Sequence, residues 1–188
     1  MPILTIVNMP AVTNAEAALL ALLCERPMHG YEIEKTIEDR NMRYWTEVSF
    51  YSIYRILRKL EKRGLAQSEI RLSRNNVSQK VYSVTDAGRA AAVDRVKENL
   101  SCVEQTIWRV DLSIANLCLI SNEEAIECLE KYLGSVDQAI AVYRSLEQFF
   151  TEKGYPETDH ELAARPLAHL AAEKKWASGY LKMLKKVR

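Results

Sequence analysis

The sequence predicts a mainly α-helical chain interrupted by one small β-hairpin, and three observations carry that prediction. Apolar residues recur at helical spacing through most of the 188 residues, with capping patterns at several of the starts. The period changes between about residues 66 and 85, where two short stretches rich in β-formers flank an Asn-Asn pair. From residue 101 onward the pattern is again wholly helical.

The elements follow in order. Residues 1–12 read as an arm with two prolines. Thr13 and Glu16 then stand at capping-box spacing, and Leu19, Leu20, Leu22 and Leu23 predict a deeply buried helix that stops at Arg26-Pro27. In "MHGYEIEKTIEDRN", Tyr31, Ile33 and Ile37 can cover one side of a short second helix, with His29 as a capping or hydrogen-bonding residue at its start. Ser49 is a suitable N-cap for a third helix, in which Ile53, Ile56, Leu57 and Leu60 fall at i, i+3, i+4 and i+7. Gly64 stops it, because glycine adopts the left-handed C′ conformation at little cost. A hairpin over about residues 66–85 follows, and Thr85 or Asp86 caps a fourth helix.

Beyond residue 100, Ser121 and Glu124 repeat the capping-box spacing. Ile126, Leu129, Leu133, Val136, Ile140 and Tyr143 then alternate by three and four, the seam of a coiled coil. Gly154-Tyr155-Pro156 breaks that helix, and Thr158 with Glu161 suggests a cap for the last one. Pro166 either kinks the last helix or lies in its true first turn. Its stripe of Leu167, Leu170, Ala177, Leu181 and Leu184 is broad enough to need a cover, part of which a second subunit can supply. The expected organisation is an arm (1–12), a compact domain (13–100) and a helical dimerisation domain (101–188).

Composition narrows the function. Hydrophobic residues make up 48% and charged residues 27%, enough to bury a core and too apolar for a disordered chain. No apolar run reaches the roughly 18 residues of a spanning helix, and the first residues lack the regions of a secretory signal. A cytoplasmic protein without a membrane partner is expected. Cys24, Cys102, Cys118 and Cys128 form no C-x-x-C pair and lie among apolar residues, so they read as buried thiols, not as metal ligands. The three histidines form no H-E-x-x-H, and no G-x-S-x-G, Walker loop or G-x-G-x-x-G occurs. Neither an enzyme nor a cofactor or metal is expected.

Nine basic and three acidic residues lie between 49 and 89, a local excess in a chain of net charge +1. Three helices followed by a hairpin is the order of a winged helix-turn-helix, in which the third helix enters the major groove and the hairpin touches the flanking backbone or minor groove. Ser49, Phe50, Tyr51 and Ser52 would sit nearest the base edges, with Arg55 placed to read guanine. Lys59, Lys62 and Arg63 would meet phosphates, flanked by Arg58, and the Tyr54 hydroxyl could reach one. At the wing tip Arg71, Arg74, Asn75, Asn76, Gln79 and Lys80 could contact phosphates or the minor groove. The competing reading of this surface is a solvated basic face on a winged helix that serves as a protein–protein interaction or scaffold module without DNA binding.

His29-Gly30-Tyr31-Glu32-Ile33, Ser52-Ile53-Tyr54 with Leu57 and Leu60, Gly64-Leu65, and Tyr82 with Thr85, Ala87, Gly88 and Arg89 occur in order over about residues 15–90. Together they resemble the PadR family of bacterial transcriptional regulators, and the helical second half resembles its longer subfamily. With the resemblance, the expectation is a sequence-specific regulator, a repressor acting as a homodimer on a palindromic double-stranded DNA operator. Ile126, Leu129, Leu133, Ile140, Leu170, Leu181 and Leu184 are the expected dimer contacts. The resemblance also implies a small aromatic or hydrophobic effector, for which Trp45, Trp108 and Trp176 are candidates, with Tyr143 or Tyr180. Phe50-Tyr51 departs from the small residues common in the family at this place, and Arg55 from a frequent proline.

Overall fold

The computed structural model of the chain describes residues 12–72 and 76–186. It divides into two compact units, residues 1–104 and 105–188. In the first unit the order is α1 (Asn14–Glu25), β1 (Met28–His29), α2 (Gly30–Asp39), a single 3₁₀ turn (Met42–Tyr44), α3 (Phe50–Lys62), β2 (Ala66–Leu72), β3 (Ser78–Val84) and α4 (Asp86–Ser101). The helices form where the caps and apolar spacing predict. Thr13 and Glu16 close a reciprocal capping box on α1, and the Thr85 hydroxyl accepts from the Gly88 N–H at the start of α4.

At the end of α3, Gly64 has φ +69°. Its N–H bonds to the Glu61 carbonyl and the Leu65 N–H to the Leu60 carbonyl, both at 2.9 Å. Those two bonds satisfy carbonyls that the helix leaves open and turn the chain directly into β2. The hairpin pairs Ala66 with Val84 through Leu72 with Ser78.

The sheet has a third strand that the sequence did not reveal. Met28 pairs with Tyr82 and His29 with Val81, so the strand order is β1-β3-β2, all antiparallel. Two residues cannot express a period, and the Arg26-Pro27 stop masks them. The core gathers Leu19, Leu20, Leu22 and Leu23 of α1, Ile33 and Ile37 of α2, and Ile53, Leu57 and Leu60 of α3. Val12, assigned to the arm on sequence, is buried in this core.

The first turn of α4 presses against the α3–β2 junction. A Cβ at Gly88 would lie 1.8 Å from the Leu65 carbonyl oxygen, and that carbonyl accepts the Thr85 N–H. Gly88→Ala is therefore expected to destabilise the unit by about 2 kcal/mol, since backbone rather than a side chain must move. Urea unfolding followed by circular dichroism measures this as a lower midpoint at unchanged slope.

The second unit contains α5 (Arg109–Ala115), a 3₁₀ turn (Leu117–Leu119), α6 (Asn122–Lys153) and α7 (Glu157–Leu184). Contacts between opposite ends make α6 and α7 an antiparallel hairpin. The Asn122 side chain donates to the Leu184 carbonyl, the Tyr132 hydroxyl donates to Glu173 at 2.6 Å, and the Phe150 ring lies 5.9 Å from that of His160. Ser121 and Glu124 cap α6 as a box. The box read at Thr158 and Glu161 does not form: α7 begins earlier, at Glu157 after Pro156. Pro166 is thus well inside the helix, where it lacks the N–H that would bond the carbonyl four residues back.

The cysteines also differ from the expectation of buried thiols. All four are free; Cys24 is half-buried and Cys102, Cys118 and Cys128 are exposed. An apolar neighbourhood along the sequence does not place a residue on the covered side of its helix. Among the described residues no helix is long and apolar enough to cross a membrane.

Candidate nucleic-acid interface

The third helix settles which of its residues can meet a partner. Ser52, Ile53, Ile56, Leu57 and Leu60 face the core. At 100° per residue the opposite side is the row Tyr51, Arg55, Arg58 and Lys62, at i, i+4, i+7 and i+11. All four are exposed, Tyr51 by 89%. Among the described residues, Arg55, Arg58 and Lys62 have no acidic partner; the one bond Arg58 makes is from Nε to the Tyr54 carbonyl. Phe50 and Tyr54 are each about half exposed on the edge nearer the wing, and the Phe50 and Tyr51 rings meet edge to face.

Ser52 does not lie on this surface, contrary to the sequence reading. Its side chain is buried, and its Oγ accepts from the Ser49 N–H and donates to the Ser49 carbonyl. It shapes the start of the helix from inside. Lys59 is likewise turned to a flank. Its Nζ lies 2.7 Å from one oxygen of Glu16, while Arg63 reaches the other at 3.0 Å. Glu16 is almost completely buried. Burial pushes its carboxyl up, but the hydrogen bonds from Lys59 and the Thr13 backbone, with the charges of Lys59 and Arg63, outweigh that and hold it below the ordinary range. One carboxylate thus caps α1 and fixes α3 against it.

The other flank is the wing. Lys80 was expected to face DNA, yet its Nζ lies 2.7 Å from Glu61 and 5.2 Å from the centre of the Tyr82 ring. Ser68 donates to the same Glu61 carboxylate. Arg74 and Asn75 lie outside the described residues. Arg71 pairs with Glu69 on its own strand, and Ile70, Leu72 and Val77 are exposed near the tip.

Local geometry also places α2. His29 caps it, with Nδ1 accepting from the Glu32 N–H and the His29 N–H bonding to the Glu32 carboxylate. A Cβ on Gly30 would come 2.4 Å from the Tyr54 ring, so the missing side chain lets α2 and α3 approach. Arg43 binds Glu34 of α2 and the Val48 carbonyl, holding the loop that enters α3. Between the start of α2, Tyr54 and β3 runs a groove of about 330 Å³ lined by His29, Tyr31, Gln79, Lys80 and Tyr82.

The second unit holds a separate apolar cavity of about 350 Å³, lined among others by Val110, Ile114, Leu117, Leu129, Tyr132 and Tyr180, with Arg109 and Cys128 at its wall. The tryptophans expected to mark an effector site line neither this cavity nor one another. Trp45 is half-buried in the first unit, Trp108 precedes α5, and Trp176 stacks on Tyr180. Leu129 and Leu184 are buried together within the unit, and Ile126 and Leu181 pack on them. Leu133, Ile140 and Leu170 are half-buried. Four of the seven residues expected as dimer contacts, Ile126, Leu129, Leu181 and Leu184, are therefore occupied in closing the chain's own α6–α7 hairpin.

Three helices, a wing and a cationic row on the third helix define a winged-helix fold. Residues 19–94 match the transcriptional regulator PadR-like family. That match lies wholly within the amino-terminal unit and covers 76 of the 188 residues. A probable transcriptional regulator of Mycobacterium tuberculosis is 33% identical over 84 residues, 45% of this chain and 44% of that protein. The aligned part thus spans less than half of that relative.

Solved structures show the same fold at lower identity. Bacillus subtilis PadR in complex with operator DNA superposes with a TM-score of 0.73 at 17% identity, covering 90% of this chain and 98% of that one. The same protein with p-coumaric acid gives 0.71 at 19%, covering 92% and 99%. The Vibrio cholerae virulence activator AphA gives 0.73 at 20%, covering 93% and 99%.

Proposed function

We propose that this protein is a transcriptional repressor of the cytoplasm that binds a palindromic double-stranded DNA operator as a homodimer. The observation that carries the reading is the outward row Tyr51, Arg55, Arg58 and Lys62, whose three cations have no carboxylate partner among the described residues. Cations left unneutralised on the third helix of a winged helix suit the phosphates and guanine edges of a major groove. Ser49 begins the helix, and Phe50 and Tyr51 project where base edges would lie. Tyr54 and the wing border the adjoining backbone. The Bacillus subtilis relative, whose structure contains operator DNA, supports the same use of the fold.

In this reading the helical unit joins two copies. Leu133, Ile140 and Leu170, half-buried within one chain, and exposed Leu112 and Leu119 are apolar area that a second copy would cover. The two recognition helices would then face half-sites about 10 bp apart or a multiple of it. A small hydrophobic or aromatic effector would fit the cavity between α5, α6 and α7 better than the three tryptophans, which do not converge. The structure of the Bacillus relative with p-coumaric acid favours an effector of that size.

Light scattering and fluorescence anisotropy test these points together. The expected results are a dimer in solution, binding of a duplex from the chain's own promoter, and affinity that falls steeply with salt through counterion release. Repression is read from a reporter placed behind that promoter. A protein that binds no duplex DNA at low salt would instead be the protein-interaction module.

A further inference from the structure

The basic surface of the first unit is partly neutralised from within, and the two flanks of α3 differ in how. On the α1 side the acid is Glu16, which is buried and serves as a helix cap. On the wing side it is Glu61, the one acidic residue in α3 (Phe50–Lys62). Glu61 is only about two-thirds covered, caps nothing, and holds Lys80 at 2.7 Å across from β3 while Ser68 steadies its carboxylate. Lys80 itself borders the groove between the start of α2, Tyr54 and the wing. We propose that Glu61 is an internal competitor of DNA phosphate for Lys80, withholding one wing cation and so lowering affinity for duplex DNA of any sequence. The inference rests on the DNA-binding reading above and concerns the strength of that binding.

The chemistry is a simple exchange. A surface ammonium can pair with a phosphate or with a neighbouring carboxylate, but each added phosphate contact requires its other partner to be given up. The pairing is consistent from both sides. The hydrogen bond from Lys80 leads those that hold the Glu61 carboxyl below its ordinary range, and the bond to Glu61 leads those that hold the Lys80 ammonium above its own. Removing the acid should therefore release a full positive charge at the groove without moving the recognition helix, whose apolar side is buried independently.

A double-mutant cycle on the full chain tests this with a random-sequence duplex of about 20 bp, read by anisotropy across a salt series. Lys80→Ala alone should change affinity less than about twofold, because the ammonium is withheld. Glu61→Gln should raise affinity roughly fivefold near 0.1 M salt and steepen the log–log salt slope by about 0.9. Adding Lys80→Ala to Glu61→Gln should return both quantities to those of the unaltered protein. Thermal melting reports whether each variant is folded, and Glu61→Ala serves if the glutamine side chain still holds Lys80. Unchanged affinity in a folded Glu61→Gln and Glu61→Ala, or an equal loss from Lys80→Ala with and without Glu61, overturns the inference while leaving DNA binding intact. Absence of binding by the unaltered protein overturns both.

Discussion

Arg55→Ala combined with Lys62→Ala is expected to lower affinity for the promoter duplex by two to three orders of magnitude while the fold persists. Both side chains are exposed on the outward row and neither contributes to the core. An arginine bidentate to guanine contributes about 1–3 kcal/mol of discrimination, and a lost phosphate contact weakens binding at every sequence. Together they amount to about 3–4 kcal/mol, at about 1.4 kcal/mol per tenfold. The two replacements should differ in kind. Lys62→Ala should reduce specific and random-sequence binding alike and flatten the salt slope by about one, whereas Arg55→Ala should act mainly on the promoter sequence. Circular dichroism and anisotropy on the same samples separate loss of binding from loss of fold. Full affinity in the folded double variant would place the reading surface elsewhere.

Glu16→Ala is expected to destabilise the first unit by about 3 kcal/mol, or more than 10 °C in melting midpoint for a unit of this size. The change removes the carboxylate half of the α1 capping box and leaves Lys59 and Arg63 without the carboxylate they share. Glu16→Gln should cost less, since the amide can still cap. The carboxyl also predicts a pH dependence. Its folded value lies below the 4.5 of an unperturbed glutamate, so the unfolded chain binds its proton first as pH falls. Its stabilisation is fully present above about pH 4.5 and is lost as pH drops through the folded value. Urea midpoints measured from pH 7 to 3 should fall less steeply in Glu16→Gln than in the unaltered protein. Parallel pH curves would remove Glu16 as a source of acid sensitivity. Lys59→Ala should show part of the same loss of stability, which a residue engaged only with DNA would not.

The order of elements was legible because each rests on neighbours in the chain. The boxes at Thr13 and Ser121, the stripe from Ile53 to Leu60, the turn at Gly64 and the change of period at Ala66 all involve residues a few positions apart. The start of α7 was not, because it follows Pro156 with no side-chain cap and so leaves no capping pattern to read, whereas the Thr158–Glu161 spacing does. Strand β1 was not, because two residues carry no pattern and exist as a strand only through Val81 and Tyr82.

Of the candidate interface, the sequence correctly separated core from surface on α3 at Ile53, Ile56, Leu57 and Leu60. It misplaced Ser52 and misread the surroundings of Lys59 and Lys80. The partners of those lysines, Glu16 and Glu61, stand 43 and 19 residues away, and nothing in a linear pattern joins them. In the same way the seam of α6 showed that some apolar face needed a cover, but not that α7 of the same chain takes Leu129.

By itself, then, the sequence determined which segments are helical, where all but the last of the capped helices begin, and that a basic third helix precedes a hairpin; periodicity and capping are local, and local physics suffices for them. Which cations remain unneutralised was decided only by tertiary structure. A lysine's charge is fixed by its type, but its availability depends on whether folding brings a carboxylate within about 3 Å, and that distance is set by how α1, α3 and the wing pack together.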